Sequence, residues 1–182
     1  MVTRANSYKK HSNKEAGRAP NDAASAAPRV AAGPSLKGRA LRLLSAREHS
    51  RAELEAKLRA HEAAPGQLAQ VLDELQAKDF ISEARVVESV INRRASRLGA
   101  SRIRHELVRK GLGSQQIADA MQRLKGSEVE RAREVWRRKF DPRGEGAATD
   151  AASQARQMRF LAARGFTGEV VGRVVRRLDA DH

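Results

Sequence analysis

The 182-residue sequence predicts an all-α protein: three tandem three-helix units in an elongated, curved array, behind a disordered N-terminal tail. Three observations predict this: an apolar spacing that occurs three times, turn residues that recur with it, and an opening stretch with no apolar periodicity. In the first unit Leu58 is followed after ten residues by Leu68, Val71, Leu72 and Leu75, the i, i+3, i+4, i+7 stripe of one helical face. Adding 49 gives Leu107, Ile117, Ala120, Met121 and Leu124, and adding a further 54 gives Leu161, Val171, Val174, Val175 and Leu178. With 40% apolar residues, five specified positions are all apolar about once in a hundred placements, so two further copies in order mark a true repeat.

The turns repeat with the stripe. Ser50 with Glu53 and Ser127 with Glu130 have the spacing of capping boxes, in which a hydroxyl and a carboxylate satisfy the free amides of a helix start. Ser114 and Thr167 precede the Ile117 and Val171 helices as N-caps. Gly111 and Gly165 follow their helices where a left-handed residue closes a Schellman turn, with Leu112 and Phe166 as the apolar contacts. The first unit carries Glu62 at the glycine position and turns through Ala63-Ala64-Pro65-Gly66 instead.

Each unit also has a leading helix: Leu36 to Arg47, Ser82 to about Leu98, and Ser127 to Phe140. The cluster Asp141-Pro142-Arg143-Gly144-Glu145-Gly146 breaks the chain and accounts for the longer second spacing. Phe80-Ile81 reads as a hydrophobic staple before Ser82, and Arg94 as a side chain that either snorkels along the apolar side or contacts the adjoining unit. Trp136 and Phe140, at helical spacing, read as core. The predicted units are 36–78, 79–125 and 126–182. Each buries little apolar surface alone, so stacking is expected. Residues 1–35 carry three prolines and six basic side chains against two acidic ones, which predicts a disordered basic tail. Ser25, Pro28 and Arg29 interrupt any secretory apolar core, whereas the Arg- and Ala-rich composition still admits a transit peptide.

Composition narrows the chemistry. There are 36 Lys and Arg against 22 Asp and Glu, a net charge of +14, with a pI near 11.2 and a mean hydropathy of −0.63. The absence of cysteine excludes disulfides and Cys-ligated zinc. No run of roughly 18 apolar residues is present to span a bilayer. The five histidines are scattered without metal-ligand spacing, and no nucleophile motif or phosphate loop is found, so neither catalysis nor a metal site is expected. Glu53/Glu55 and Glu128/Glu130 sit near helix starts, where carboxylates complement the helix dipole.

The charge excess points to polyanionic partners. Basic residues cluster over Arg85–Lys110, over Arg131–Lys139 and on the last helix at Arg173, Arg176 and Arg177. From charge and helical facing, Arg93, Arg97, Arg102, Arg104, Arg109, Lys110, Arg137 and Arg138 are the expected contacts to a filament or nucleic acid, since the guanidinium fork suits phosphate and carboxylate alike.

Four segments carry a family resemblance. They are Ala40-Leu41-Arg42-Leu43-Leu44 with Arg47-Glu48-His49-Ser50-Arg51-Ala52-Glu53-Leu54, then Asp79-Phe80-Ile81-Ser82-Glu83-Ala84-Arg85, then Gly99 through Leu112, and Phe160-Leu161-Ala162-Ala163-Arg164-Gly165-Phe166. In this order, over Leu36 to Leu178, they resemble the RecX family of bacterial recombination regulators. Val86-Val87 departs from the aromatic-alanine pair frequent there. The resemblance implies an all-helical, cytoplasmic protein with no cofactor of its own. Such a protein binds the RecA recombinase and its filament on single-stranded DNA, and inhibits strand exchange and the coupled ATPase and coprotease activities. It assigns no residue-level contact. A monomer lying along the filament groove is expected, with no membrane partner. The alternatives are a stand-alone nucleic-acid-binding protein with helix-turn-helix-like units and, as a third class, an enzyme acting on nucleic acid.

Overall fold

The computed structural model describes residues 33–143 and 150–177. The expected disorder of the tail, the breaker residues Gly144 to Gly146 and the last stripe position Leu178 lie largely or wholly outside them. The described residues form nine α-helices and no strand. The first three are α1 (Leu36–Ala46), α2 (Arg51–Leu58) and α3 (Gln67–Ala77), with a 3₁₀ turn at Arg59–His61. The middle three are α4 (Glu83–Arg94), α5 (Ala100–Arg109) and α6 (Ser114–Lys125), and the last are α7 (Glu128–Phe140), α8 (Ala151–Ala163) and α9 (Gly168–Arg177). The helices pack chiefly within these triplets.

Each triplet closes over its own core, built from the repeated stripe. The first holds Leu54, Leu58, Leu68, Leu72 and Leu75, and the second Val86, Val90, Ile103, Leu107 and Leu124. The third holds Trp136, Leu161, Phe166, Val171 and Val174. Trp136 is buried as expected and its indole N–H donates to Gln157 Oε1 at 2.9 Å, while Phe140 meets Phe160 edge-on with centroids 5.1 Å apart. Ile81 also enters the first core, and Phe80 stays 48% exposed, so the pair is not a staple for α4; its apolar residue seals the preceding unit.

The turns follow the predicted chemistry with two exceptions. Ser50 and Glu53 form a complete capping box. Gly111 and Gly165 adopt φ of 71° and 83°, and the amides of Leu112 and Phe166 reach back to the carbonyls of Leu107 and Leu161, which is the Schellman pattern. Thr167 accepts from the Val170 amide. Ser127, however, does not cap α7. Only Gly126 and Ser127 separate α6 from α7, and the Ser127 hydroxyl donates to Leu124 O. Ser114 is likewise the first helical residue, one place beyond the N-cap Gly113. α4 ends at Arg94 rather than near Leu98, and Arg94 pairs with Glu106 across to α5.

The joints between triplets repeat a head-to-tail contact of the middle helices. At the first joint the hydroxyl of Ser50, N-cap of α2, donates to the carbonyl of Lys110, C-cap of α5. At the second joint the amide of Gly99, N-cap of α5, donates to the carbonyl of Arg164, C-cap of α8, at 2.9 Å. The next amides of α5 are also satisfied from the third unit: Ser101 N–H by Gly165 O at 3.2 Å and Ala100 N–H by Glu128 Oε1 at 3.1 Å. No side chain of its own caps α5, so its unpaired donors are completed by the neighbouring unit.

Candidate filament and nucleic-acid interface

The basic residues sort into four environments, which the helical geometry of α5 begins to explain. Ile103 and Leu107 face the core, so Arg102 and Arg109 fall on one flank of that helix and Arg104 on the other.

On the Arg102 flank, at the second joint, the end of α4 meets α7 and α8. Arg97, Arg138, Lys139 and Arg164 line a notch of about 230 Å³ whose apolar wall includes Phe160 and Val135. The Arg164 guanidinium lies 3.6 Å from the centroid of the Phe160 ring, a cation–π contact that fixes its plane. Beside it, Arg102 donates from Nε and a terminal nitrogen to the carbonyl of Ala163, at 3.3 and 3.2 Å. Arg138 shares its charge with Glu134 on the same helix, at an exposed pair of little energetic weight. Arg97 has no carboxylate partner among the described residues. Two of the eight expected residues, Arg97 and Arg138, therefore share one cationic notch, and Arg102 borders it.

Arg104 opens on a different groove. It is joined there by Lys125 and Arg173 over a floor of Met121, Val129 and Val170, in a cavity of about 530 Å³. Arg93, Arg109 and Arg137 are exposed, with Arg93 Nε donating to the Ser89 carbonyl. They line neither cavity.

Lys110 departs most from expectation. It is 8% exposed and its ammonium donates to Glu53 Oε1 at 2.8 Å, so it ties the first joint together instead of facing a partner. Burial would raise the Glu53 pKa, but hydrogen bonds from Arg47, Lys110 and the Ser50 amide outweigh it and hold the carboxyl at about 2. His49, 3% exposed, sits with Nδ1 3.8 Å from Glu53 Oε2, too far for a hydrogen bond. Burial, reinforced by Arg47, lowers its pKa.

Arg131 is structural in the same sense. It is half-buried and donates to the carbonyls of Ala95, Leu98 and Leu124, at 3.2, 3.0 and 3.2 Å, closing the ends of α4 and α6 against α7. Burial lowers its pKa while Glu128 opposes the shift. Arg131 and Lys139 belong to the basic cluster visible in the sequence, and Arg164 stands outside it. The available signal for Arg164 was its place before Gly165, which matches that of Lys110 before Gly111.

Among the described residues no group of three or more His, Asp or Glu is placed to hold a metal, and no helix is long and apolar enough to cross a membrane.

Comparison with known proteins follows the three triplets. Models of the first, second and third three-helix domains of RecX match residues 37–75, 82–121 and 127–175. The regulatory protein RecX of Leptothrix cholodnii is 54% identical over 148 residues, covering 81% of this chain and 92% of that one. That of Herminiimonas arsenicoxydans is 47% identical, covering 78% and 91%. The crystal structure of RecX from Lactobacillus salivarius shares the fold with a TM-score of 0.65 at 20% identity, over 80% of this chain and 95% of that one.

Proposed function

The chain belongs to the RecX family of regulatory proteins, and from that premise we propose that it regulates the RecA recombinase by binding RecA and its filament on single-stranded DNA. Bound there, it inhibits strand exchange and the coupled ATPase and coprotease activities. It acts in the cytoplasm as a monomer, without a cofactor, by occupying a surface rather than by turnover.

The observation that carries this reading is the notch of Arg97, Arg138, Lys139 and Arg164 at the second joint. Four cations converge there from the α4–α5 link, α7 and the C-cap of α8, and no carboxylate among the described residues lines the notch. Planar guanidinium forks donate either to DNA phosphates or to the carboxylates of a recombinase surface. The amides of α5 and the guanidinium of Arg131 hold together the segments that carry these cations, and the Phe160 ring fixes the plane of Arg164. Arg164, already held against Phe160, loses little side-chain entropy on binding.

The test is RecA ATPase on single-stranded DNA, titrated with the purified protein at several salt concentrations. Inhibition that saturates, and weakens steeply as salt rises, is expected from release of counterions. An ATPase rate unchanged at saturating protein would contradict the proposal. Sequence-selective binding to free DNA would favour a stand-alone DNA reader.

A further inference from the structure

The first unit has a cationic groove of its own, distant in sequence from the notch. α1, α2 and the 3₁₀ turn enclose about 500 Å³ between them, lined by Arg39, Arg42, Lys57 and His61 over a floor that includes Leu43 and Leu58. No carboxylate among the described residues lines it.

The ion pairing of this unit separates these four residues from their neighbours. Lys37 and Lys78 both pair with Glu74, Arg47 with Glu53, and Arg51 with Glu55 and Asp73. Glu48 is taken by Arg85 of the next unit, and Glu62 accepts from the Leu68 amide. Every acidic side chain between residues 34 and 78 is therefore engaged elsewhere. Arg39, Arg42, Lys57 and His61 have no carboxylate partner among the described residues. Like charges gathered over a low-dielectric wall focus a positive potential into the cleft.

We propose that this groove is a docking site for an acidic, amphipathic segment of a protein partner: a short helix or extended peptide that sets an apolar side chain against Leu43 and Leu58 and carboxylates against Arg39, Arg42, Lys57 and His61. The apolar floor favours a peptide over a nucleic-acid backbone. A phosphate chain would use the rim and leave the floor wet, whereas an amphipathic peptide uses both, as groove-bound helices do. The site lies apart from the notch at the second joint, and the proposal stands independently of the RecA reading.

The experiment uses the full chain and a fluorescein-labelled ten-residue peptide carrying Asp and Glu on one helical face and Leu and Phe on the other, followed by anisotropy. The wild type should bind it saturably. Replacing Arg42 and Lys57, both exposed, as R42E/K57E should weaken binding tenfold or more. The milder R42Q/K57Q pair should give a smaller loss in the same direction, and neither pair should move the thermal unfolding midpoint measured by circular dichroism. A control peptide with serine at every apolar position should bind at least fivefold more weakly. A labelled fifteen-residue oligothymidylate should bind the double variants within twofold of wild type. Unchanged peptide binding by both variants, equal binding of the serine peptide, or a loss of oligothymidylate affinity as large as the peptide's would each overturn the proposal.

Discussion

The amide of Gly99 donates to the carbonyl of Arg164, so the middle helix of the second unit begins on the end of the middle helix of the third. Backbones pass so closely here that a Cβ on Gly99 would fall on the Gly165 carbonyl, and one on Gly165 would lie 2.7 Å from the Arg102 amide. Gly165 also has φ of 83°, where an L side chain costs about 1–2 kcal/mol before any clash. Gly165→Ala and Gly99→Ala should therefore each destabilise the protein by more than that amount. Urea unfolding checks this, with Gly168→Ala, whose Cβ would meet nothing within 4 Å, as the neutral control.

Titration should weaken the first joint in two steps. The folded Glu53 carboxyl is held at about 2 against an ordinary 4.5, so the stability it contributes is complete above 4.5 and is lost as pH falls from there toward 2. The lowered pKa of His49 acts in the same direction at higher pH. The unfolded chain takes up its proton first, so stability declines as pH drops below the ordinary 6.5. Unfolding free energy measured from pH 8 to pH 3 should fall in both ranges. Glu53→Gln should flatten the lower step and His49→Gln the upper one. At pH 7 Glu53→Gln should cost about 1.5–3 kcal/mol, the range for hydrogen bonds to charged groups. A wild-type curve level from pH 7 to pH 5 would remove the histidine from this scheme.

Arg131→Ala should act on folding, not on partner affinity directly. It leaves three carbonyls, those of Ala95, Leu98 and Leu124, without their guanidinium donor. A loss of about 1–3 kcal/mol is expected as the part-buried Ala95 and Leu98 carbonyls lose this donor, while Leu124 O keeps the Ser127 hydroxyl. Arg131→Lys should recover little, because a single ammonium does not reproduce the fork. Equal stability of Arg131→Ala and wild type would contradict the structural role.

The repeat and its consequences were legible because helical burial has a period that sequence displays directly. The stripe residues Leu58, Leu107 and Leu161 are all buried, and the left-handed glycines Gly111 and Gly165 stand where the turns need them. Long-range partnership was not legible. Lys110 looks on a helical wheel like any other cation of its cluster, and only the fold brings Glu53, 57 residues earlier in the chain, against it. Ser127 has the spacing of a capping box, but the two-residue link between α6 and α7 diverts its hydroxyl to Leu124. Arg97 and Arg138 were found from charge, whereas their meeting with Arg164 depends on how α8 docks on α5.

Substitutions at the notch should separate binding from stability. Arg97 and Arg138 are exposed and bear no part of the joint hydrogen bonding, whereas Arg102 donates to Ala163 and contributes to both. R97E/R138E should keep the wild-type unfolding midpoint within about 0.5 kcal/mol, the usual range for surface changes. Arg102→Ala should lower both stability and affinity, and the contrast is read by urea unfolding alongside filament binding.

The most direct measurement is inhibition of the RecA ATPase on single-stranded DNA by wild-type protein and by R97E/R138E, at equal salt. At least a tenfold higher concentration of the double variant should be needed for half-maximal inhibition, with helicity and unfolding unchanged. Equal inhibition by the two proteins would contradict the assignment of the second-joint notch as the regulatory surface.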